Sequence, residues 1–337
     1  MSGLSAPRPI RDVAEVDFAR FHDEIRPAGE PVLMRGAVRD WPAVQAALEG
    51  DQAIVDYLIG CGPTRPVGAI AARPEEKGRF FYNEELTGFN FVSGRGRMEM
   101  FLRDLLAVAA DERPPAMAMQ SEVIPEVLPA FGETNRLALL PEVAPRIWIG
   151  NRIRVSPHCD LMENVACVVA GRRRFTLFPP EQVSNLYPGP FELTPAGTPV
   201  SMVDPLAPDL ERYPRFEAAW ATACQAELAP GDALYIPYMW WHGVESLEPV
   251  SILVNYWWNE GARHLSTPYD AMLHNILAFR HMPPDQRAVW RTMLDYYIFE
   301  AEGDPAAHLP EHARGMMGPL TTELAARLRT TLKKIVS

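Results

Sequence analysis

Proline and glycine interrupt this sequence so often that long elements of regular structure have little room. The chain has 33 prolines among 337 residues, about twice the usual share. Many stand in turn-forming groups, such as Pro179-Pro180, Pro188-Gly189-Pro190 and Pro283-Pro284. Because proline removes a backbone donor and breaks helices, this pattern predicts many short elements joined by ordered turns.

From Arg146 onward, short runs of β-forming residues alternate with Gly and Pro. The runs are Arg146–Gly150, Asn164–Ala170, Arg174–Phe178, Ala233–Pro237 and Val250–Trp258. Such spacing is typical of hairpins and Greek-key connections, so it predicts a barrel or jelly roll. The fold class that we expect is therefore mainly β with flanking helices, as in a double-stranded β-helix.

The parts of the chain outside this core have a different character. Residues 1–110 mix helical and strand patterns and are expected to form an α/β layer packed on the barrel. The core covers residues 111–262, with a proline-rich insertion at residues 186–225 that we expect over one mouth of the barrel.

Residues 263–337 return to a helical period with wide apolar stripes. These stripes must either pack on the barrel or bury against a second copy of the chain. The second possibility predicts a homodimer formed through residues 267–300.

Charge and cysteine content exclude several classes of partner and compartment. The net charge of −11 argues against nucleic acid as the main partner. Cys61, Cys159, Cys167 and Cys224 form no CxxC pair, and no apolar run is long enough for a membrane span. We therefore expect a cytoplasmic protein without membrane attachment.

His158 and Asp160 stand on alternate residues of an extended segment, so both side chains point to one face. A second histidine, His242, follows the run Ala233–Pro237, which a barrel would bring close to the first segment. Two imidazoles and one carboxylate form the facial triad that suits Fe(II) and leaves open coordination positions. For Asp160 or His242 alone, a turn residue or a core histidine would be the simpler interpretation.

Several stretches beyond these ligands resemble the JmjC-type, cupin-like hydroxylases, in particular the asparaginyl hydroxylases that act on hypoxia-inducible factor and their bacterial cupin-like relatives. The resemblance covers most of the chain to about residue 260. It is carried by Trp148–Arg174, Gly231–His242, Val254–Trp257, Pro31–Gly36 with Asp40-Trp41-Pro42, Phe178–Gln182 with Leu186-Tyr187, and Pro208–Pro214. The resemblance implies Fe(II) held by His158, Asp160 and His242, with 2-oxoglutarate and O2 as co-substrates.

The resemblance also indicates a co-substrate site. Arg173 occupies the place of the family's lysine, and a guanidinium can pair with the far carboxylate of 2-oxoglutarate. Strand alternation sends Arg173 to the face opposite Arg172 and Arg174, although a turn of three solvated arginines is the alternative. Asn164 and Asn255 fall where the family has polar residues that hold the co-substrate or order the site.

The sequence departs from the family at two places. Val155 replaces a hydroxylic residue, for which Ser156 could substitute only after a slip of one residue. The segment Met117–Gln120 replaces a tyrosine, and Gln120 is a candidate substrate-facing amide. Trp240 is a second candidate substrate residue, although strand tryptophans more often belong to the core; Phe80, Phe81 and Tyr82 form a candidate rim.

These observations predict a 2-oxoglutarate-dependent hydroxylase that acts on a protein or a small molecule. The resemblance favours a polypeptide or amino-acid-like substrate. Two alternatives stay open, namely a cupin-type metal enzyme that does not use 2-oxoglutarate and a cupin-like binding protein without turnover.

Overall fold

The computed structural model describes residues 4–261 and 265–336. The chain divides into two compact units, of which the first ends at Asn259 and the second begins at Glu260. The first 110 residues do not form a unit of their own, because four of their strands join the same sheet as the predicted barrel strands.

The smaller sheet of the first unit has six strands and carries both candidate histidines. Its spatial order is β1-β12-β11-β14-β9-β5. The strands are β1 (Arg8–Pro9), β5 (Arg79–Phe80), β9 (Arg154–Cys159), β11 (Arg173–Phe178), β12 (Cys224–Leu228) and β14 (Trp241–Ser246).

The larger sheet has nine strands in the order β2-β3-β13-β10-β15-β8-β7-β4-β6. Its central strands pair antiparallel and are almost completely buried. The strands are β2 (Arg11–Val13), β3 (Val32–Met34), β4 (Val67–Ala72), β6 (Phe91–Gly96), β7 (Ala116–Val123), β8 (Pro145–Gly150), β10 (Glu163–Ala170), β13 (Ala233–Ile236) and β15 (Ser251–Trp258).

Two hydrophobic clusters hold these sheets in place. Apolar side chains of both sheets, among them Phe175 and Leu177 of β11 and Val168 of β10, form one core. The outer face of the larger sheet packs against N-terminal helices through a second, larger cluster. The architecture is thus the expected two-sheet, cupin-like barrel, covered on one side by helices.

No helix within residues 4–261 is longer than ten residues, as the proline content predicts, whereas the three C-terminal helices have 12 to 15 residues. Proline occupies the first turn of α2, α5, α6, α8 and α9, where its missing N–H costs nothing. The helices are α1 (Phe18–Arg20), continued by a π-helix (Phe21–Ile25), α2 (Pro42–Glu49), α3 (Asp51–Gly60), α4 (Met98–Ala107), α5 (Ile124–Val127), α6 (Pro129–Thr134), α7 (Phe216–Thr222), α8 (Pro268–Phe279), α9 (Pro284–Tyr297) and α10 (Thr322–Val336).

The turn between β10 and β11 contains Gly171 and Arg172 and leads into Arg173, the first residue of β11. Gly171 adopts φ +68°, and a Cβ at this position would lie 2.5 Å from the carbonyl oxygen of Val250. Only glycine fits there, because the conformation is left-handed and the space is closed. The turn leads from β10 in the larger sheet to β11 in the smaller sheet, where Arg173 is buried.

Among the described residues, no helix has both the length and the apolar character needed to cross a bilayer.

Candidate metal centre and co-substrate cavity

The two histidines lie directly opposite each other on neighbouring strands. His158 near the end of β9 pairs in register with His242 near the start of β14. Their ring centroids are 4.4 Å apart, and both side chains are buried. A register shift follows His242, and such bulges often re-aim side chains beside functional sites.

Each imidazole is oriented by a backbone carbonyl of its own strand. His158 Nδ1 lies 3.0 Å from the Ser156 carbonyl oxygen, and His242 Nδ1 lies 3.1 Å from the Trp240 carbonyl oxygen. Because a carbonyl oxygen can only accept, each Nδ1 must donate, which leaves the Nε2 lone pair free to bind a cation. Burial, together with the charge of the neighbouring His242, lowers the pKa of His158 to about 4, so this ring is neutral at pH 7.

Asp160 brings the carboxylate to the same place. Its Oδ2 lies 3.4 Å from His242 Nε2, and its Oδ1 lies 4.0 Å from His158 Nε2. The indole Nε1 of Trp257 donates to Oδ2 at 3.0 Å, and the Asn164 amide donates to the same oxygen at 3.4 Å. These two donors fix the rotation of the carboxylate.

The polar chain continues away from Asp160 along the cavity wall. The Asn255 amide donates to Asn164 Oδ1 at 3.2 Å, and Trp148 Nε1 donates to Asn255 Oδ1 at 2.7 Å. Both asparagines are buried, so each needs such partners. Of the two roles expected for Asn164 and Asn255, these contacts support ordering of the site.

The donor set fits a divalent metal. The ligand atoms of His158, Asp160 and His242 all lie within 4.8 Å of one another, and they form the one such group found among the described residues. Two imidazole nitrogens and one carboxylate oxygen suit Fe(II) and related first-row ions. The bonds to both Nδ1 atoms and to Asp160 supply the outer contacts that metal ligands usually have.

The metal ligands form part of the wall of a cavity of about 370 Å³. This is large enough for a small dicarboxylate beside a metal ion. Most of the wall is apolar, and Pro195, Ala196 and Val200 of the insertion border it, which agrees with the expected position of that segment. The insertion therefore limits access of water to the ligands.

Arg173 places a positively charged side chain on the wall of this cavity. Its side chain is buried, whereas Arg172 and Arg174 on either side pair with Glu227, Glu245 and Glu248 at the surface. The alternation predicted from the sequence is thus confirmed, and the interpretation as three solvated arginines is wrong for Arg173.

The guanidinium of Arg173 has a neutral partner. Its Nε donates to the hydroxyl of Ser251 at 2.9 Å, and no carboxylate of residues 4–261 or 265–336 pairs with it. Burial lowers the pKa of Arg173 to about 9, which still leaves it protonated at neutral pH. A buried cation without an anion is costly, so the geometry favours an anionic ligand in the cavity.

The two departures from the hydroxylase pattern both lie on the cavity wall. Val155 pairs with Val244 and lines the cavity, but the register of β9 and β14 shifts by one residue between this pair and the His158–His242 pair. Ser156 also lines the cavity, and its hydroxyl accepts a hydrogen bond from Arg79 Nε at 3.2 Å. Both Val155 and Ser156 line the cavity, so the co-substrate role expected for Ser156 stays a prediction.

Gln120 lies on the wall of the same cavity, at an irregular part of β7. The pairing of β7 with β8 shifts between Met119 and Glu122, and Ser121 has φ +52°. Arg146 donates to the carbonyl and hydroxyl oxygens of Ser121 at 2.9 and 3.1 Å, which holds the bulge. The Gln120 side chain makes no hydrogen bond within the described part of the chain, so its amide can serve a ligand.

Trp240 is placed differently from the expectation. It is buried in the core between the two sheets with Leu33 and Leu253, and it does not border the cavity. This placement does not support the substrate role expected for Trp240, because the residue just before β14 packs its ring in the core.

Sequence reasoning missed three residues of the site. Trp148, Trp257 and Ser251 were not distinguishable from ordinary strand residues, and tryptophan in a strand is usually core. The alternation of β15 could have separated Trp257 from Trp258, since successive side chains of a strand face opposite sides.

The geometry agrees with comparisons to known proteins. Residues 18–264 match the model of a family described as "Cupin-like domain". The chain is 29% identical to the human protein "Bifunctional peptidase and (3S)-lysyl hydroxylase JMJD7", over 74% of this chain and 84% of that one.

Two further relatives share shorter parts of their length. "Lysine-specific demethylase 8" of Danio rerio is 28% identical over 74% of this chain and 59% of its own. Human "HSPB1-associated protein 1" is 37% identical over 39% of this chain, and the match spans only 27% of that protein.

Proposed function

This chain belongs to the cupin-like domain family, and from its site and relatives we propose that it is an Fe(II)- and 2-oxoglutarate-dependent oxygenase that hydroxylates a protein substrate. The reaction consumes 2-oxoglutarate, O2 and a C–H bond. It yields succinate, CO2 and the hydroxylated product. One oxygen atom of O2 enters succinate, and the other enters the product.

The observation that carries this proposal is the position of Arg173. A cavity with a His-Asp-His ligand set could serve many metal enzymes, but this one also holds a buried guanidinium with only a hydroxyl partner. A guanidinium pairs bidentately with a carboxylate, so it can anchor the end of 2-oxoglutarate that does not bind metal. A cupin that uses no dicarboxylate would have no use for this costly charge.

His158, Asp160 and His242 would hold the metal, which when bound supplies oxygen activation coupled to decarboxylation of 2-oxoglutarate. Trp257 and Asn164 keep the Asp160 carboxylate in one orientation through their hydrogen bonds to Oδ2. The carbonyls of Ser156 and Trp240 keep both imidazoles in the tautomer that binds a cation.

The rest of the cavity serves binding and exclusion of water. Arg173 binds the far carboxylate of 2-oxoglutarate, while the apolar wall and the insertion limit side reactions with solvent. Gln120 and the bulge at Ser121 offer the polar groups that could orient a substrate side chain. A polypeptide substrate is supported by relatives named as a lysyl hydroxylase and a lysine-specific demethylase.

The test is formation of succinate by the purified protein with Fe(II), 2-oxoglutarate and O2. Succinate should form in wild type and fall to background in His158→Ala and in Asp160→Ala. Arg173→Met should lose 2-oxoglutarate binding, whereas Arg172→Met, a matched change at a surface arginine, should keep it.

Other results would favour the two alternatives. Metal binding without any 2-oxoglutarate affinity would indicate a cupin-type enzyme of another chemistry. The absence of both metal binding and turnover would indicate a cupin-like binding protein.

We also propose that the chain self-associates through its C-terminal unit. Neither α8 nor α9 contains a buried residue, and large apolar side chains such as Leu277, Trp290 and Met293 are exposed. Monomeric soluble proteins rarely expose apolar surfaces of this kind.

We further propose a cytoplasmic location, which is supported by the four cysteines, all of them free thiols.

A further inference from the structure

A groove of about 720 Å³ lies along the part of the first unit formed by residues 71–92 and Pro115. Its floor is aromatic. The rings of Phe89 and Phe91 stack at 4.8 Å with an interplanar angle of 7°, and Tyr82 stacks on Phe89 at 6.2 Å. These rings form a continuous apolar strip along the groove.

The strip leads to the metal cavity. Phe91 of the groove contacts Phe80 edge-to-face at 5.4 Å between ring centroids, and Phe80 lines the cavity of His158 and Asp160. Phe80 and Phe91 thus connect the lining of the cavity with the lining of the groove.

Two carboxylates line the same groove as the aromatic strip and have no cationic partner among the described residues. Glu84 and Glu85 line the groove, are exposed and form no ion pair within the described residues. Their turn is rigid, because Asn83 Oδ1 accepts hydrogen bonds from the amides of Thr87 and Gly88 at 2.9 and 3.2 Å. A preorganised pair of carboxylates beside π faces suits a cationic side chain.

The charge balance of the groove is negative. Its charged lining residues are Arg73, Glu76, Glu84 and Glu85. Glu76 is already engaged, since it accepts a hydrogen bond from Asn90 at 2.7 Å and lies 3.5 Å from Arg73. Two unpaired negative charges remain, and they would repel the phosphates of a nucleic acid.

The groove also offers backbone groups. Strand β6 is the edge of the nine-stranded sheet and pairs with β4 alone among the described strands. It is exposed along most of its length, and Val92 is 72% exposed. An extended peptide can add to such an edge by main-chain hydrogen bonds, with side chains that reach the neighbouring groove.

We propose that this groove, with Glu84, Glu85 and the Phe89–Phe91 stack, docks an extended segment of the protein substrate that carries lysine or arginine side chains. The inference rests on the proposed function for its substrate, but its evidence is the groove itself. The groove would select basic polypeptides, while the metal cavity acts on a residue near the docked segment.

The experiment measures binding apart from turnover. A short fluorescein-labelled peptide of alternating lysine and threonine is titrated with the full-length protein, and fluorescence anisotropy reports binding. The comparison probe is a peptide of equal length with glutamate in place of lysine. We expect binding of the lysine peptide only, with weakening as salt rises.

Variants locate that binding. The double change Glu84→Lys and Glu85→Lys should weaken binding of the lysine peptide by about tenfold or more. Glu75→Lys is the matched control, because Glu75 is exposed on a nearby turn outside the groove, and it should change binding by less than about twofold. Phe89→Ala should weaken binding about threefold or more, and Leu86→Ala, on the same hairpin, should not.

The result that overturns the inference is equal binding of both peptides, or equal weakening by Glu75→Lys and by the double variant. Thermal melting checks that each variant is folded. Succinate formation without peptide, measured in parallel, should be the same in the double variant and in wild type. If wild type forms no succinate, the proposed function is refuted. Selective binding of the lysine peptide would still support the groove as its docking site.

Discussion

Arg173 Nε donates a 2.9 Å hydrogen bond to the hydroxyl of Ser251, at the first residue of β15. This contact holds one edge of the guanidinium and leaves the rest of the group on the cavity wall. Ser251 itself is fully buried and does not border the cavity, so it acts through Arg173. We therefore regard Ser251 as a positioning residue for the co-substrate anchor.

Ser251→Ala is expected to raise KM for 2-oxoglutarate about tenfold, because a hydrogen bond to a buried charged group is lost. The effect on kcat should be much smaller, since the metal ligands are untouched. Ser251→Thr keeps the hydroxyl and should recover most of the affinity. Steady-state succinate assays over a range of 2-oxoglutarate concentrations measure the split, and an equal fall in kcat for both variants would argue for general damage to the barrel.

Arg173→Met should stabilise the protein in the absence of ligand. Burial lowers the pKa of Arg173 to about 9, which means that the folded state disfavours the charged form. The buried charge of Arg173 therefore lowers the free energy of unfolding at every pH below about 9, and this cost declines only above that pH. Removal of the charge should stabilise the folded state at neutral pH.

The measurement for Arg173→Met is thermal melting with and without 2-oxoglutarate. We expect a Tm at least about 2 °C above wild type without ligand, and no rise when 2-oxoglutarate is added. Arg172→Met should show neither change, because its ion pairs with Glu227 and Glu248 lie at the surface. A lower Tm for Arg173→Met would show that the charge contributes to folding.

Trp257→Phe removes the 3.0 Å hydrogen bond to Asp160 Oδ2 and keeps most of the ring volume. Loss of such an outer contact typically lowers metal affinity about 10–100-fold. Titration with Co(II), followed by absorbance, measures this affinity. Trp258→Phe is the control, because Trp258 packs on Phe21 and Tyr235 away from the ligands; equal losses in both variants would refute the role of Trp257.

Self-association can be tested on the full chain by size-exclusion chromatography with light scattering. Wild type should have the mass of a dimer, and Leu277→Glu with Trp290→Glu should have the mass of a monomer, since these changes place charges on an apolar surface. Leu48→Glu changes an exposed leucine of the first unit and should leave the dimer intact. A monomeric wild type would refute the proposal.

Much of the barrel was predictable because its sequence pattern is local. The runs that the sequence analysis assigned to β8, β10, β11, β13 and β15 are strands in the structure. Strand β9 and strand β14, which hold the two histidines, were less visible, because Pro157, Gly243 and two tryptophans obscure the alternation. Within residues 1–110, an exposed edge strand such as β6 was not predicted, since it has no hydrophobic period of its own.

The ligands His158, Asp160 and His242 and the inward direction of Arg173 could be derived from the sequence, because strand alternation fixes the side of each residue within its own strand. Alternation does not state which strands become neighbours. The opposition of His158 and His242, the Arg173–Ser251 bond, the Trp257–Asp160 bond and the burial of Trp240 in the core all depend on contacts between segments distant in the chain. Those contacts form only when the two sheets close around a shared core, so they belong to the tertiary structure.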